Sequence, residues 1–151
     1  WRNVYAVGQG CIARTWWRPT SDYRAAVDEA YAVLESLMLA PVYTRETREL
    51  AYGQQRLLEI ALALATRPKV LLLDEPAAGV PREESSELFT AINSLSQDIT
   101  VLFIEHDMEL VFRLASRIIV MVGGGILLEG TPDEISADPR VREVYLGGAH
   151  A

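Results

Sequence analysis

The sequence predicts an α/β fold built on a parallel sheet. Val70-Leu71-Leu72-Leu73 is a short apolar run that ends in Asp74-Glu75-Pro76. Thr100-Val101-Leu102-Phe103-Ile104 is a second such run, and Glu105-His106-Asp107 follow it. Between them a helical pattern runs from about Arg82 to Ser96, the kind of crossover a parallel pair needs. Short apolar runs flanked by breakers read as strands buried on both faces. A βαβ unit is right-handed, so both polar ends face the same side and His106 is expected within reach of Glu75, the alternative being a purely structural histidine. Ligands of open α/β sheets bind beyond the carboxyl ends of the strands. Two adjacent acids at such an end suit a magnesium-bound phosphate, one holding the metal and the next handling water. The competing reading is a core strand followed by a solvated acidic turn.

The totals narrow the class. A chain of 151 residues is long enough for one domain with a core. Half its residues are hydrophobic and 23% are charged, as in an ordinary globular protein. A net charge of −7 argues against a nucleic-acid-binding surface. Cys11 is the single cysteine, which excludes an internal disulfide and a cysteine metal cluster and fits a reducing compartment. No apolar run approaches the roughly 18 residues of a membrane span. The first residue is Trp1 rather than methionine, and the opening stretch reads as mid-protein sequence, so a fragment is expected. The sole lysine, Lys69, precedes Val70, and no Gly-Lys-Ser or Gly-Lys-Thr occurs. The chain therefore lacks a P-loop of its own.

The elements follow in order. Residues Trp1 to Thr20, with Gly8, Gly10 and Trp16-Trp17-Arg18, show no clean period, and the tryptophans read as local core packing. Ser21 or Asp22 caps a helix to about Leu39, with Ala26, Ala30, Val33, Leu34, Leu37 and Met38 on one face and Pro41 ending it. Thr44 to Glu49 is a polar connector of solvated charges. Leu50-Ala51-Tyr52-Gly53-Gln54-Gln55 opens a helix that is apolar nearly all round through Ala65 and stops at Thr66-Arg67-Pro68. Gly53 lets a ligand approach the backbone, and the free N–H groups of such a helix start form an anion site. The alternative is a glycine-containing first turn without a ligand.

Ala77-Ala78-Gly79-Val80 is a small-residue loop, and Pro81 starts the next helix, with Leu88, Ile92 and Leu95 inward. Met108 to Ser116 is a short helix. Ile118 to Val122, a Gly123-Gly124-Gly125 turn and Ile126 to Glu129 form a hairpin that closes the sheet edge. The triple glycine is not a phosphate loop, because a strand rather than a lysine-bearing helix follows it. Thr131-Pro132-Asp133-Glu134 is a capping box, Asp138-Pro139 breaks that helix, and a last amphipathic turn ends at Gly147-Gly148.

These pieces, in this order, resemble the ATP-binding subunit of ABC transporters. Leu50-Ala51-Tyr52-Gly53-Gln54 is similar to the signature motif, Leu71 to Pro76 to Walker B with its following glutamate, and His106 to the switch histidine. Tyr52, Ala77-Ala78-Gly79, Glu105-His106-Asp107-Met108 and the tail from Gly130 to Gly147 are similar to the importer group for branched-chain amino acids and related amides. The likeness covers nearly the whole chain. Trp1-Arg2-Asn3-Val4 resembles the segment just after the Q-loop, which would put Walker A and the Q-loop upstream of residue 1.

The resemblance implies a fold, an α/β partial P-loop NTPase (ABC ATPase) core with a parallel sheet and a helical subdomain. About 1–66 would be the helical subdomain and signature helix, about 67–130 the core from Walker B to the switch histidine, and about 131–151 the tail. It implies ATP and Mg2+, with Asp74 on the metal through water, Glu75 as general base, and His106 near the γ-phosphate. Ala51, Tyr52, Gly53 and Gln54 would meet nucleotide held by a second ATP-binding subunit arranged head to tail. The helix from about Asp22 to Leu39 would dock on membrane permease subunits, at the cytoplasmic face of the inner membrane. No nucleic-acid partner is implied. Two departures stand out. Ala51 replaces the signature serine, which removes one hydroxyl worth ~1 kcal/mol. Val80-Pro81 stands where Asp or Asn is usual. Without Walker A, this chain alone is expected to bind ATP poorly or not at all and to expose apolar surface that promotes association. The alternatives are a degenerate fragment without ATPase activity and a non-transport ATPase of the same family.

Overall fold

The computed structural model describes residues 24–95 and 98–145. They fall into two compact units divided between Ile104 and Glu105. The expectations for Trp1 to Thr20, for Ser21 and Asp22 and for Gly147-Gly148 lie outside the described residues.

The first unit begins with helix α1 (Arg24–Ser36). Its end differs from the expectation that Pro41 stops a helix reaching Leu39. Met38 adopts a left-handed φ of 58°, and the Leu39 N–H donates to the Leu34 carbonyl at 2.8 Å. That is a Schellman closure, and its flanking residues Leu34 and Leu39 are both buried. Pro41 then belongs to a separate 3-10 turn, Ala40–Val42. The polar connector holds a second 3-10 turn, Thr47–Glu49, whose Glu49 carboxylate accepts from the Glu46 N–H at 3.2 Å.

Helix α2 (Tyr52–Leu64) buries Leu57, Leu58, Ile60, Ala61 and Leu64. It stops as the sequence suggests, with Arg67 left-handed at φ 52° just before Pro68. Strand β1 (Val70–Asp74) pairs in parallel with β2 (Thr100–Ile104), in the register Val70 to Thr100 through Asp74 to Ile104. Helix α3 (Arg82–Asn93) joins them and packs on α2. Leu88, Phe89, Ala91 and Ile92 are buried there. The Phe89 ring also meets Phe103 of β2 at a centroid distance of 6.5 Å, which fastens helix to sheet. Burying a side chain of that kind contributes about 1.5–3 kcal/mol. Expected to run to about Ser96, α3 ends at Asn93, where the hydroxyl of Ser94 turns back onto the Ala91 carbonyl at 2.7 Å. A helix end closed by a local hydroxyl bond is a boundary that periodicity alone does not mark.

The strands are not buried on both faces. Leu71 is 4% exposed, whereas Leu72 is 69%, Leu102 54% and Ile104 62% exposed. Among the described residues this sheet has two strands, and α3 packs on one side of it through Phe89. The apolar composition of β1 reads as burial on both faces, but the described pair is covered on one.

The second unit contains α4 (Met108–Leu114), β3 (Ile118–Val122), β4 (Gly125–Gly130), α5 (Pro132–Ala137) and α6 (Pro139–Tyr145). Among the described residues the β3–β4 hairpin forms a two-stranded antiparallel sheet of its own, with no ladder to β1 or β2, rather than the expected closure of the sheet edge. Its two-residue loop needs positive φ at both positions, and Gly123 and Gly124 supply 57° and 82°. The register slips between Val120 and Met121, which leaves Leu127 as an extra residue on β4. The expected capping box is present. The Thr131 N–H donates to Glu134 Oε2 at 2.8 Å, and Thr131 Oγ1 accepts from the Glu134 N–H at 3.4 Å. Ile118, Val120, Ile135 and Val141 are the deeply buried apolar residues of these strands and helices.

Candidate functional site

Asp74 ends β1 opposite Ile104, and the Glu75 N–H donates to the Ile104 carbonyl at 3.0 Å. The chain then breaks from the strand direction, because Glu75 sits at φ 43°. A side chain in that left-handed region costs roughly 1–2 kcal/mol. The Ala78 N–H closes a turn onto the Glu75 carbonyl at 2.9 Å. Pro76 is buried beneath it, and both carboxylates stay exposed. Strain of this kind collects where a chain presents a group for use.

The start of α2 is the second half of the site. Ala51 is its N-cap and has no oxygen to offer, so only the reverse arm of a capping box exists: the Ala51 N–H donates to Gln54 Oε1 at 3.3 Å. Gln55 Nε2 donates to the Leu50 carbonyl at 3.0 Å and braces the same turn. Gly53 is buried, and its N–H donates to Glu84 Oε2 at 2.7 Å. A Cβ on Gly53 would lie 3.0 Å from that oxygen and 3.1 Å from the Glu84 Cβ, so any larger residue would press on the Glu84 side chain. Tyr52 lies against Gly79, where a Cβ would stand 3.5 Å from Cε1 of the ring. The loop behind Asp74 and Glu75 therefore touches the turn that holds Ala51 to Gln54. Arg56 sits 5.3 Å from the centroid of the Tyr52 ring. It donates to Tyr52 Oη at 3.1 Å and to Glu59 Oε2 at 2.8 Å, and the bond to Glu59 raises its pKa above the usual guanidinium value.

His106 is exposed between β2 and α4 and belongs to the second unit, so the fold brings Asp74, Glu75 and the α2 turn into one unit and His106 into the other. The neighbouring Asp107 has a structural task. Its Oδ1 accepts from the Glu109 N–H at 3.0 Å and the Leu110 N–H at 3.3 Å, capping α4.

Among the described residues no group of three or more His, Cys, Asp or Glu is placed to hold a metal. Magnesium does not require one, since it keeps several waters and takes one or two carboxylates together with substrate phosphate. An exposed Asp74 at a strand end fits that donor set. Glu84 and the Tyr52–Gly79 contact escape a reading of the sequence, because Glu84 lies 31 residues beyond its partner Gly53. An acid in the first turn of a helix reads as a dipole or cap residue of that same helix.

The chain matches the ABC transporter family model over residues 3–78 and the branched-chain amino acid ATP-binding cassette transporter model over residues 126–151. The high-affinity branched-chain amino acid transport ATP-binding protein BraF of Pseudomonas aeruginosa is 44% identical over 83% of this chain and 50% of its own length. LivG of Escherichia coli K12, named for the same role, is 44% identical over 82% of this chain and 49% of its own length. Among solved structures, the ADP conformation of MJ1267, an ATP-binding cassette of an ABC transporter, superposes with a TM-score of 0.76 at 32% identity, covering 96% of this chain and 61% of that one. The chain thus spans about half the length of the curated relatives it matches. With the order of strand, acids and glycine-bearing helix start already in place, the fold is that of a partial P-loop NTPase, and the chain belongs to the ABC transporter family.

Proposed function

We propose that this chain is the signature-to-tail part of an ATPase subunit that powers an importer of branched-chain amino acids or related amides. The observation that carries the reading is the Asp74-Glu75 pair, held at the carboxyl end of a parallel strand in the same unit as the glycine-bearing start of α2. Asp74 would hold Mg2+ beside the nucleotide, and Glu75 would orient and deprotonate the attacking water. When bound, Mg2+ neutralises charge on the substrate phosphates. The likeness of His106 to the family's switch histidine supports its assignment to the γ-phosphate of the same reaction.

The turn from Ala51 to Gln54 presents backbone donors to nucleotide carried by a second ATP-binding subunit, consistent with an anion-seeking helix start. The domain bounds that go with this reading are about 1–66 for the helical subdomain and signature helix, about 67–130 for the core from Walker B to the switch histidine, and about 131–151 for the tail. The subunit is peripheral, docked on permease subunits at the cytoplasmic face of the inner membrane. The match of residues 126–151 to the branched-chain amino acid model favours transport over a soluble ATPase of the same family. Ala51, and the lack of Gly-Lys-Ser or Gly-Lys-Thr, favour a second reading, a partner-binding piece without hydrolysis.

The coding frame upstream of Trp1 separates the two. A Walker A motif in that frame supports the ATPase, and a stop codon supports the partner-only piece. In the full-length protein read from that frame, Glu75→Gln should abolish hydrolysis while leaving Mg-ATP binding intact. Hydrolysis at the parent rate in that variant refutes the assignment of Glu75.

A further inference from the structure

The Gly53 N–H is already in use. It donates to Glu84 Oε2 at 2.7 Å, a charge-assisted length, from a glycine that is itself buried. Glu84 stands in the first turn of α3, immediately after the loop that leaves Asp74 and Glu75, and its own N–H is tied to the Pro81 carbonyl at 3.0 Å. Val80 Cγ1 closes the same spot, 3.6 Å from where a Gly53 Cβ would be, and Tyr52 covers Gly79 one step earlier in the loop. One N–H makes one strong bond. A nucleotide phosphate cannot take the Gly53 donor while the Glu84 carboxylate holds it, and two anions on one donor also repel.

We infer that Glu84 is an intrachain latch, its carboxylate occupying the Gly53 donor in the resting protein and leaving when nucleotide phosphate arrives. This rests on the proposed role of Gly53 and adds a regulation to it. The latch bridges α2 to the first turn of α3. Its release removes the hydrogen bond among the contacts that tie the loop behind the two acids to the nucleotide-facing turn, leaving only the packing of Tyr52 on Gly79 and of Val80 near Gly53, so capture of phosphate at one end is felt at the other.

The test uses the full-length protein with hydrolysis blocked by Glu75→Gln and Mg-ATP as the probe. The readout is the Mg-ATP concentration at half-maximal self-association, measured by sedimentation. Glu84→Gln keeps the shape but removes the charge, and it should lower that concentration roughly threefold to tenfold, the difference between a charged and a neutral acceptor. Glu84→Asp keeps the charge and shortens the reach by one methylene, and it should shift the concentration the same way by less. It also decides the matter should Glu84→Gln lose its cooperative melt. An unchanged or raised concentration in the folded variants shows that Glu84 only props the turn, and overturns the latch. If the parent associates with Mg-ATP and the variants do not tighten it, the latch alone falls. A parent that never responds to Mg-ATP removes the proposed function and the latch together.

Discussion

In the proposed ATPase, Glu75 would carry two separable burdens, a carboxylate for chemistry and a left-handed backbone for geometry. Its φ of 43° is fixed by a strand bond on one side, Glu75 N–H to Ile104 carbonyl at 3.0 Å, and by a turn bond on the other, Ala78 N–H to Glu75 carbonyl at 2.9 Å. Replacing it by glutamine removes the charge and keeps the strain. Replacing it by glycine removes both. The left-handed penalty released is roughly 1–2 kcal/mol. Against it stands the extra freedom of glycine in the unfolded chain, about 0.4–1 kcal/mol. Glu75→Gly should therefore be more stable than Glu75→Gln by ~1 kcal/mol, or about 2–4 °C in melting temperature for a protein of some 250 residues. Both variants should lose hydrolysis by at least ~100-fold, the contribution of a positioned general base. The assay is a thermal melt of the two variants in the full-length protein beside steady-state phosphate release. If the glycine variant melts lower than the glutamine variant, the strain argument is wrong, and the side chain at this position must itself hold the turn.

Ala51→Ser supplies the missing N-cap oxygen, so it should stabilise α2 by ~1 kcal/mol and lower the Mg-ATP requirement for association, read by melting and sedimentation. The Thr131 backbone N–H, and then its hydroxyl, hold the Glu134 carboxyl below its ordinary value of 4.5. A depressed acid contributes stability that is present above its unfolded pKa and is lost as pH falls through the folded one. The protection factor of the Ile135 amide in α5, the exchange rate corrected for its intrinsic pH dependence, should therefore hold down to about pH 4.5 and fall below it, and Glu134→Gln should flatten that dependence. On the exposed face of β1 and β2, Leu72→Thr with Ile104→Thr should reduce concentration-dependent association of the 151-residue chain in light scattering, and equal scattering from both forms would refute a role for that face.

What the sequence disclosed, and what it hid, divides along the range of the forces involved. Parallel pairing of Val70–Asp74 with Thr100–Ile104 was legible because run length, terminal acids and one intervening helix are local signals that agree. The capping box at Thr131 and the glycine turn at Gly123-Gly124 were legible for the same reason. The burial of β1 on both faces was not, because an apolar run reports what a strand requires and not what is there to cover it. In the described unit Leu72 and Ile104 face outward, and in the proposed full-length subunit that face is the natural seat of the remaining sheet. The end of α1 was hidden too. Met38 takes a conformation usually left to glycine because the Schellman closure returns two backbone bonds and packs Leu39 against the helix it ends. The signature turn is the sharpest case. The glycine at 53 is visible as permission for something to come close, but its resting neighbour is a carboxylate 31 residues downstream on another helix. A motif names the donor, whereas only the fold names the acceptor that holds it until a ligand does. For this turn that distinction decides whether nucleotide meets an open amide or must first displace Glu84.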